Sequence, residues 1–226
     1  MSNISGITEQ DIANYLANTP SFFERHAELV ASIQLASPHG GRAVSLQERQ
    51  MEMLREKIRG LESKIIEMIR HGQDNVGLAD KLHRWTRAMM LTSGASSLAD
   101  TLVTQLQHEF LIPQAALRVW DTAAAYTDLP CSRAVSQDVR SFASSLPVPY
   151  CGVNSGFEAV QWLAEPASVM SVAMIQLRRT HEDSAFGLLI LGSPDPTRYS
   201  ADMGTDFLAR VGELASAALQ QLLPPV

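Results

Sequence analysis

Between Met51 and Met68 the apolar residues Met51, Leu54, Ile58, Leu61, Ile65 and Met68 recur at spacings of 3, 4, 3, 4 and 3, with mostly charged residues between them. An α-helix turns once every 3.6 residues, so this alternation confines all six side chains to one narrow seam. Such a seam marks a coiled coil, because a helix packed on a globular core presents a wider apolar face. Placing Met51, Ile58 and Ile65 at a leaves Leu54, Leu61 and Met68 at d. Isoleucine at a with leucine at d favours a parallel pair of helices. In that pair Lys57 at g meets Glu62 at e of a second chain, an exposed contact worth about 0–1 kcal/mol that sets register more than stability. The six residues are therefore the predicted homodimer interface. The seam is only about three heptads, or roughly 30 Å, and a hairpin folded back on the preceding helices is the alternative way to cover it.

The surroundings of the seam divide the chain. Ser45 and Glu48 form a capping-box pattern at its start. At its end "RHGQDNVG" places Gly72 and Asn75 where apolar residues are due. The apolar series then resumes at Leu78, Leu82, Trp85 and Met89, one residue out of step. Such a break is either a hinge or the point at which the helix leaves its partner and joins a core, and the second is expected. The predicted divisions are 1–43, an N-terminal helical segment with its linker; 44–77, the coiled-coil helix; and 78–226, a folded domain. In the first, Thr8 and Asp11 suit a helix start. Thr19 and Pro20 suit a second start, and Phe22 and Phe23 with Leu29, Val30 and Ile33 are expected to close the helices on each other. Gly40-Gly41-Arg42 lacks the spacing of a phosphate-binding loop and reads as a flexible turn.

Charge narrows the partners. Residues 1–92 hold 11 Lys/Arg and 11 Asp/Glu, whereas 93–226 hold 7 and 13 and carry the whole net charge of −6. An acidic domain is a poor fit to nucleic acid, which requires several cations on one face. No run approaches the roughly 18–20 apolar residues of a membrane span, and "MSNISGITEQ" lacks the pattern of a signal peptide. Two cysteines, Cys131 and Cys151, without a Cys-x-x-Cys pair fit a reducing compartment. A cytoplasmic protein without membrane or nucleic-acid partners is expected.

The third region reads as an α+β domain. Two helices, "LADKLHRWTRAMML" and "SLADTLVTQLQHEFLI", precede the strand "AALRVWD", in which Leu117 and Val119 face one way and Arg118 and Trp120 the other. Residues 122–167 hold a helix, "SQDVRSFASSL", then the turn-rich "PVPYCGVNSG" and "FEAVQWLAE". "SVMSVAMIQLRR" and "SAFGLLILGS" are strands joined by the turn "THED" into a buried antiparallel hairpin. The final helix, "TDFLARVGELASAALQQLL", carries the stripe Phe207, Leu208, Val211, Leu214 and Ala218. "GSPDPTRYSADMGTD" joins strand to helix. Its acids Asp195, Asp202 and Asp206 lack His or Glu companions at ligand spacing, and three acids with one arginine, Arg198, make a poor phosphate cradle. It reads as structural.

This order of elements resembles a GAF domain, the sensor fold related to PAS. "YLANTPSFFERHAELV", "GGRAVSLQERQMEMLREKIRGLE", "PYCG" and "LGSPDPTRYSADMGTDFLARVGEL" are similar to a bacterial family of unknown function with a GAF-like core. The resemblance implies an antiparallel sheet flanked by helices, preceded by N-terminal helices and a short coiled coil. It implies one sheet face packed on the first and last helices, and the other covering a small ligand. On that reading Arg118 and Trp120 point to the ligand side, and Tyr150, Cys151, Phe157 and Trp162 come from the covering segment.

The expected function is a non-enzymatic, dimeric sensor or ligand-binding module for an unknown small molecule, regulatory through its N-terminal helices, with an unknown protein partner and no cofactor or metal. The alternative is an adaptor with a filled, ligand-free core. A third reading, cysteine-dependent reduction of free methionine sulfoxide as in some GAF-fold proteins, needs a stabilised thiolate. The nearest cation in sequence is Arg133, beside Cys131 alone, and a further resolving thiol is absent. The last helix is stopped by the prolines of "QQLLPPV", so a signal is expected to leave through the N-terminal helices or another protein.

Overall fold

A computed structural model describes residues 6–36, 43–180 and 182–225, with only the backbone described for 30–31, 34–36 and 43–47. The chain forms two compact units, 1–73 and 74–226. Among the described residues no helix is long and apolar enough to cross a membrane.

The first unit opens with α1 (Glu9–Asn18). The Asp11 N–H donates to the Thr8 hydroxyl at 3.2 Å and the Thr8 N–H donates to the Asp11 carboxylate at 2.9 Å, the reciprocal capping expected there. The second expected helix is two, α2 (Ser21–Arg25) and α3 (Ala27–Ser32), because His26 leaves the helical region at φ −118°, ψ 39°. The His26 ring lies 4.6 Å from Phe22, and Phe22 meets Tyr15 of α1 edge-on at 6.1 Å. Phe22 thus closes the helices on each other, whereas Phe23, Leu29 and Ile33 are exposed. The Val30 side chain, the Ser45 cap and Gly40-Gly41-Arg42 lie outside the described residues. Short strands β1 (Gln34–Ala36) and β2 (Ala43–Ser45) pair antiparallel.

The helix that follows, α4 (Leu46–Leu91), is 46 residues long and passes through "RHGQDNVG" without interruption. Gly72 and Gly77 therefore sit inside it, each less favourable there than alanine by about 1 kcal/mol. The six seam residues are 50–69% exposed, so no described part of this chain covers them.

In the second unit the end of α4 turns at Gly94 (φ +90°) into α5 (Ala95–Phe110). Then come β3 (Gln114–Val119), α6 (Gln137–Ser145), β4 (Tyr150–Val153), β5 (Ser171–Arg178), β6 (Ala185–Ser193) and α7 (Asp206–Leu219). Short 3-10 turns fill the connections at Ala124–Tyr126, Pro130–Ser132, Glu158–Trp162, Pro166–Ser168 and Gln220–Leu222. The four strands lie antiparallel in the order β3-β6-β5-β4. The unit is a mixed helix-and-sheet fold around one four-stranded antiparallel sheet.

Strand β4 stands where the sequence reads as turns. It pairs on one side only, with Ser171–Met174, so Pro147 and Pro149 can precede it without breaking a ladder. Phe186 has no partner in the β5–β6 ladder, where Leu177 pairs with Gly187 and Arg178 with Ala185. The resulting bulge shifts the alternation, so that Ala185 and Leu188 share one face and Phe186 and Leu189 the other.

Each sheet face has its own core. On one, Leu117, Val119, Ile175, Leu177, Leu189 and Leu191 pack with Trp85 and Met89 of α4, Leu98, Leu102 and Leu106 of α5, and Leu208, Val211, Ala215 and Leu219 of α7. Trp85 is wholly buried and its indole N–H donates to the Leu102 carbonyl at 3.0 Å. Of the residues after the slip, Trp85 and Met89 enter this core and Leu82 packs against it, whereas Leu78 is exposed. On α7 the buried line is Leu208, Val211, Ala215 and Leu219, with Phe207, Leu214 and Ala218 of the expected stripe only partly buried at its flanks. Gly212 is required in that line, since a Cβ would stand 2.7 Å from the Ile175 side chain.

The connection from β6 to α7 is held by bonds within the chain. The Asp195 carboxylate accepts from the N–H and the hydroxyl of Thr197, both at 2.8 Å, and these bonds hold it below the usual carboxylate range. The Ser171 hydroxyl donates to the Asp195 carbonyl at 2.6 Å, Arg198 donates to the Phe110 carbonyl at 3.1 Å, and Tyr199 is 4% exposed.

Candidate functional site

The opposite sheet face is covered differently. Its floor is built by Val172 and Met174 of β5, Leu188 and Ile190 of β6, and Trp120 just past β3. Among the described residues one regular helix, α6, lies over it. Ser136 caps that helix, its hydroxyl accepting from the Val139 N–H at 3.2 Å, and apolar spacing turns Val139, Phe142 and Ala143 toward the sheet. The rest of the cover is the 3-10 turn Glu158–Trp162, which places Ala159, Val160 and Leu163 on the floor.

One helix and one tight turn do not fill the space. Between them is a cavity of about 290 Å³, lined by Asp138, Val139 and Phe142 from α6, Phe157, Glu158 and Ala159 from the turn, and Met174 and Leu188 from the sheet. Phe142 and Phe157 stand 5.8 Å apart, and Tyr150 meets Phe157 edge-on at 5.3 Å. The Ser136 hydroxyl donates to one Glu158 carboxylate oxygen at 2.5 Å and so ties the turn to the start of α6. The interior is apolar, and both charged groups of the lining are exposed carboxylates.

The residues expected at a ligand site divide among three places. Phe157 lines the cavity, and Tyr150 backs it through Phe157. Trp120 is floor: 5% exposed, its indole N–H donates to the Ala185 carbonyl at 2.7 Å, and Arg140 lies over its ring at 5.7 Å. Arg118 points to the expected face, but its guanidinium donates to the Pro130 carbonyl at 2.7 Å and rests 5.6 Å over the half-buried Trp162 ring. Its partners are within the chain.

Cys151 departs from expectation. It is not part of the covering segment but a residue of β4, where neighbours point to opposite faces. Tyr150 pairs with Met174 and faces the cavity side, whereas Cys151 pairs with Ala173 and enters the other core. Cys131 is buried in that same core. Burial pushes both thiols up from their ordinary range.

Sequence reasoning missed Val139, Phe142, Ala159, Met174 and Leu188 as cavity residues. The helix period after the Ser136 cap and the alternation along both hairpin strands mark which of them face inward. Neither shows that the covering turn stops short of them.

A family model described as "Protein of unknown function, DUF484" matches residues 3–223. No curated protein matches the chain. Among solved structures it is similar to the A. aeolicus NLH2 GAF domain in an inactive state, at 7% identity and TM-score 0.46, over 65% of this chain and 98% of that one. A GAF domain from an Acinetobacter phosphoenolpyruvate-protein phosphotransferase gives 12% identity and TM-score 0.44, over 63% and 92%. Free methionine-R-sulfoxide reductase from Neisseria meningitidis, in complex with its substrate, gives 10% and 0.40, over 63% and 88%. No residue role is carried across from them.

Proposed function

The chain belongs to the DUF484 family of proteins of unknown function, and we propose that it is a non-enzymatic, dimeric ligand-binding module with a GAF-like lobe, which takes a small molecule between α6, the Glu158–Trp162 turn and the sheet. The observation that carries this reading is the cavity of about 290 Å³ on the thinly covered sheet face. It is near the lower end of the roughly 300–1,000 Å³ of ligand sites and shares their apolar lining with a few polar groups at the edge. The cysteines support a role without thiol chemistry. Both are buried on the far face, and burial raises their pKa, whereas a nucleophilic thiol needs it lowered.

The occupant of the seam is a second copy of this chain. Its six apolar residues lie about half exposed, and in a parallel pair Lys57 of each chain meets Glu62 of the other, a complementarity that a helix of arbitrary charge does not offer.

Native mass spectrometry of the protein purified from its own cell tests both parts. The expected species is a dimer carrying a small molecule, with Ile58→Asp giving monomers that keep the molecule and Ala159→Leu giving dimers that lose it. A monomer at micromolar concentration overturns the dimer. A bare dimer, unchanged in melting temperature by any of a broad set of small molecules, overturns the ligand and leaves an adaptor.

A further inference from the structure

The lining of the cavity also carries a chemical class. On the reading that this space is a ligand site, we infer that its ligand is a small organic cation: an apolar, preferably aromatic body bearing an ammonium or guanidinium group.

Size sets the first limit. About 290 Å³ equals roughly ten water molecules at about 30 Å³ each, so the body holds on the order of ten non-hydrogen atoms. The inner walls set the second. Val139, Ala159, Met174 and Leu188 are each at most 6% exposed and offer only carbon and sulfur, so the buried end of the ligand is apolar. The rings of Phe142 and Phe157 face the same space 5.8 Å apart and tilted by 37°. They present π faces, which attract a cation and pack against an aromatic body equally well.

Charge sets the third limit. The two ionisable side chains of the lining are Asp138 and Glu158, one from each element that forms the mouth. Ser136 holds one Glu158 oxygen, which fixes that carboxylate in place and leaves its other oxygen free to accept. Two arginines on this side of the sheet are already engaged. Arg140 pairs with Asp121 at 2.9 Å over Trp120, and Arg118 is bound to the Pro130 carbonyl over Trp162. An anionic ligand would meet two like charges at the entrance and no donor side chain inside. The N-terminus of α6 beside Asp138 softens this field without reversing it, since the macrodipole equals about half a charge. The apolar body therefore lies against the partly exposed rings of Phe142 and Phe157, and the nitrogen sits beside the carboxylates.

Three probes of about equal size isolate the charge: 2-phenylethylamine, the neutral 2-phenylethanol and the anionic 3-phenylpropionate, titrated into the full chain by calorimetry or NMR. The amine is expected to bind at least about tenfold more tightly than the alcohol, and the acid not at all. The advantage of the amine should fall below about threefold in the Asp138→Asn/Glu158→Gln variant, and should shrink with added salt because the mouth is exposed. Both positions are at the surface, so the variant is expected to fold, with its melting curve as the check. If the amine and alcohol bind alike and both are lost in Ala159→Leu, the cation is wrong and the cavity reading stands. If all three fail to bind at millimolar concentration, both are wrong. If the double variant keeps the full preference for the amine, the carboxylates are not its source and the inference falls.

Discussion

The two faces of the sheet begin from the same material and end differently. β5 and β6 send alternate residues to each side, and Leu188 and Leu189, neighbours in sequence, are both fully buried on opposite faces. Around Leu189 three helices close a continuous core that includes the wholly buried Trp85. Around Leu188 the cover is one nine-residue helix and a 3-10 turn, and a cavity remains. Regular helices present a long apolar stripe that interdigitates along its whole length. A 3-10 turn offers a few residues and leaves gaps beyond them. The sealed face holds the lobe together; the thin one has room to bind.

That contrast is open to direct attack, beginning with the largest effect. Trp85→Ala is expected to cost about 3–5 kcal/mol of unfolding free energy, measured by urea denaturation, since it removes a wholly buried indole and its internal hydrogen bond. A loss below about 1 kcal/mol would mean that α4 is not integral to the lobe.

The leucine pair sharpens the comparison. Leu189→Ala should fall toward the upper end of the roughly 2–5 kcal/mol range for buried leucines, and Leu188→Ala toward the lower end. Leu188 is on the face covered by α6 and a 3-10 turn, Leu189 on the face closed by three helices. Equal costs, or the reverse order, would mean that the cavity closes in solution.

Ser136→Ala should remove about 1 kcal/mol as the loss of a helix cap and free Glu158 from its tie to α6. Faster hydrogen exchange confined to α6 and residues 157–162 is the expected signature. Spread over the whole lobe, it would contradict a thin cover that moves by itself.

The smallest effect is a pH dependence. Burial raises both thiols, so the folded state holds their protons more tightly than the unfolded chain does. Stability from this source is complete below the ordinary thiol value of about 8.5 and declines as the pH rises past it. Alkylation of Cys131 and Cys151 at pH 8 should accordingly be slower in the folded protein than after unfolding. Equal rates would place the thiols nearer solvent than their 5% and 8% exposures allow.

A second contrast runs along one helix. Met51–Met68 and Trp85–Met89 are both apolar lines on α4, yet one is exposed in the chain and the other buried. The one-residue slip at "RHGQDNVG" marks the change of environment, although the helix itself continues through it. Spacing alone marked where the exposed line gives way to the buried one.

Much of the lobe was legible in the same way. β3, β5, β6, α6 and α7 follow from local periodicity and from caps and prolines at their ends, because those signals act over a few residues. β4 was not, since an edge strand needs partners on one side only and tolerates the prolines and glycine that suggest turns. The side on which Cys151 falls depended on that strand's existing at all. The sequence by itself indicated most of the helices and strands of the lobe and where the apolar line of α4 passes from exposed to buried. Only the tertiary structure decided that one face of the sheet is sealed while the other keeps a cavity, and that Arg118 is satisfied by the Pro130 carbonyl. Periodicity reports the direction in which a side chain points. Whether the space it points into is filled depends on residues far away in sequence, and no local pattern encodes that.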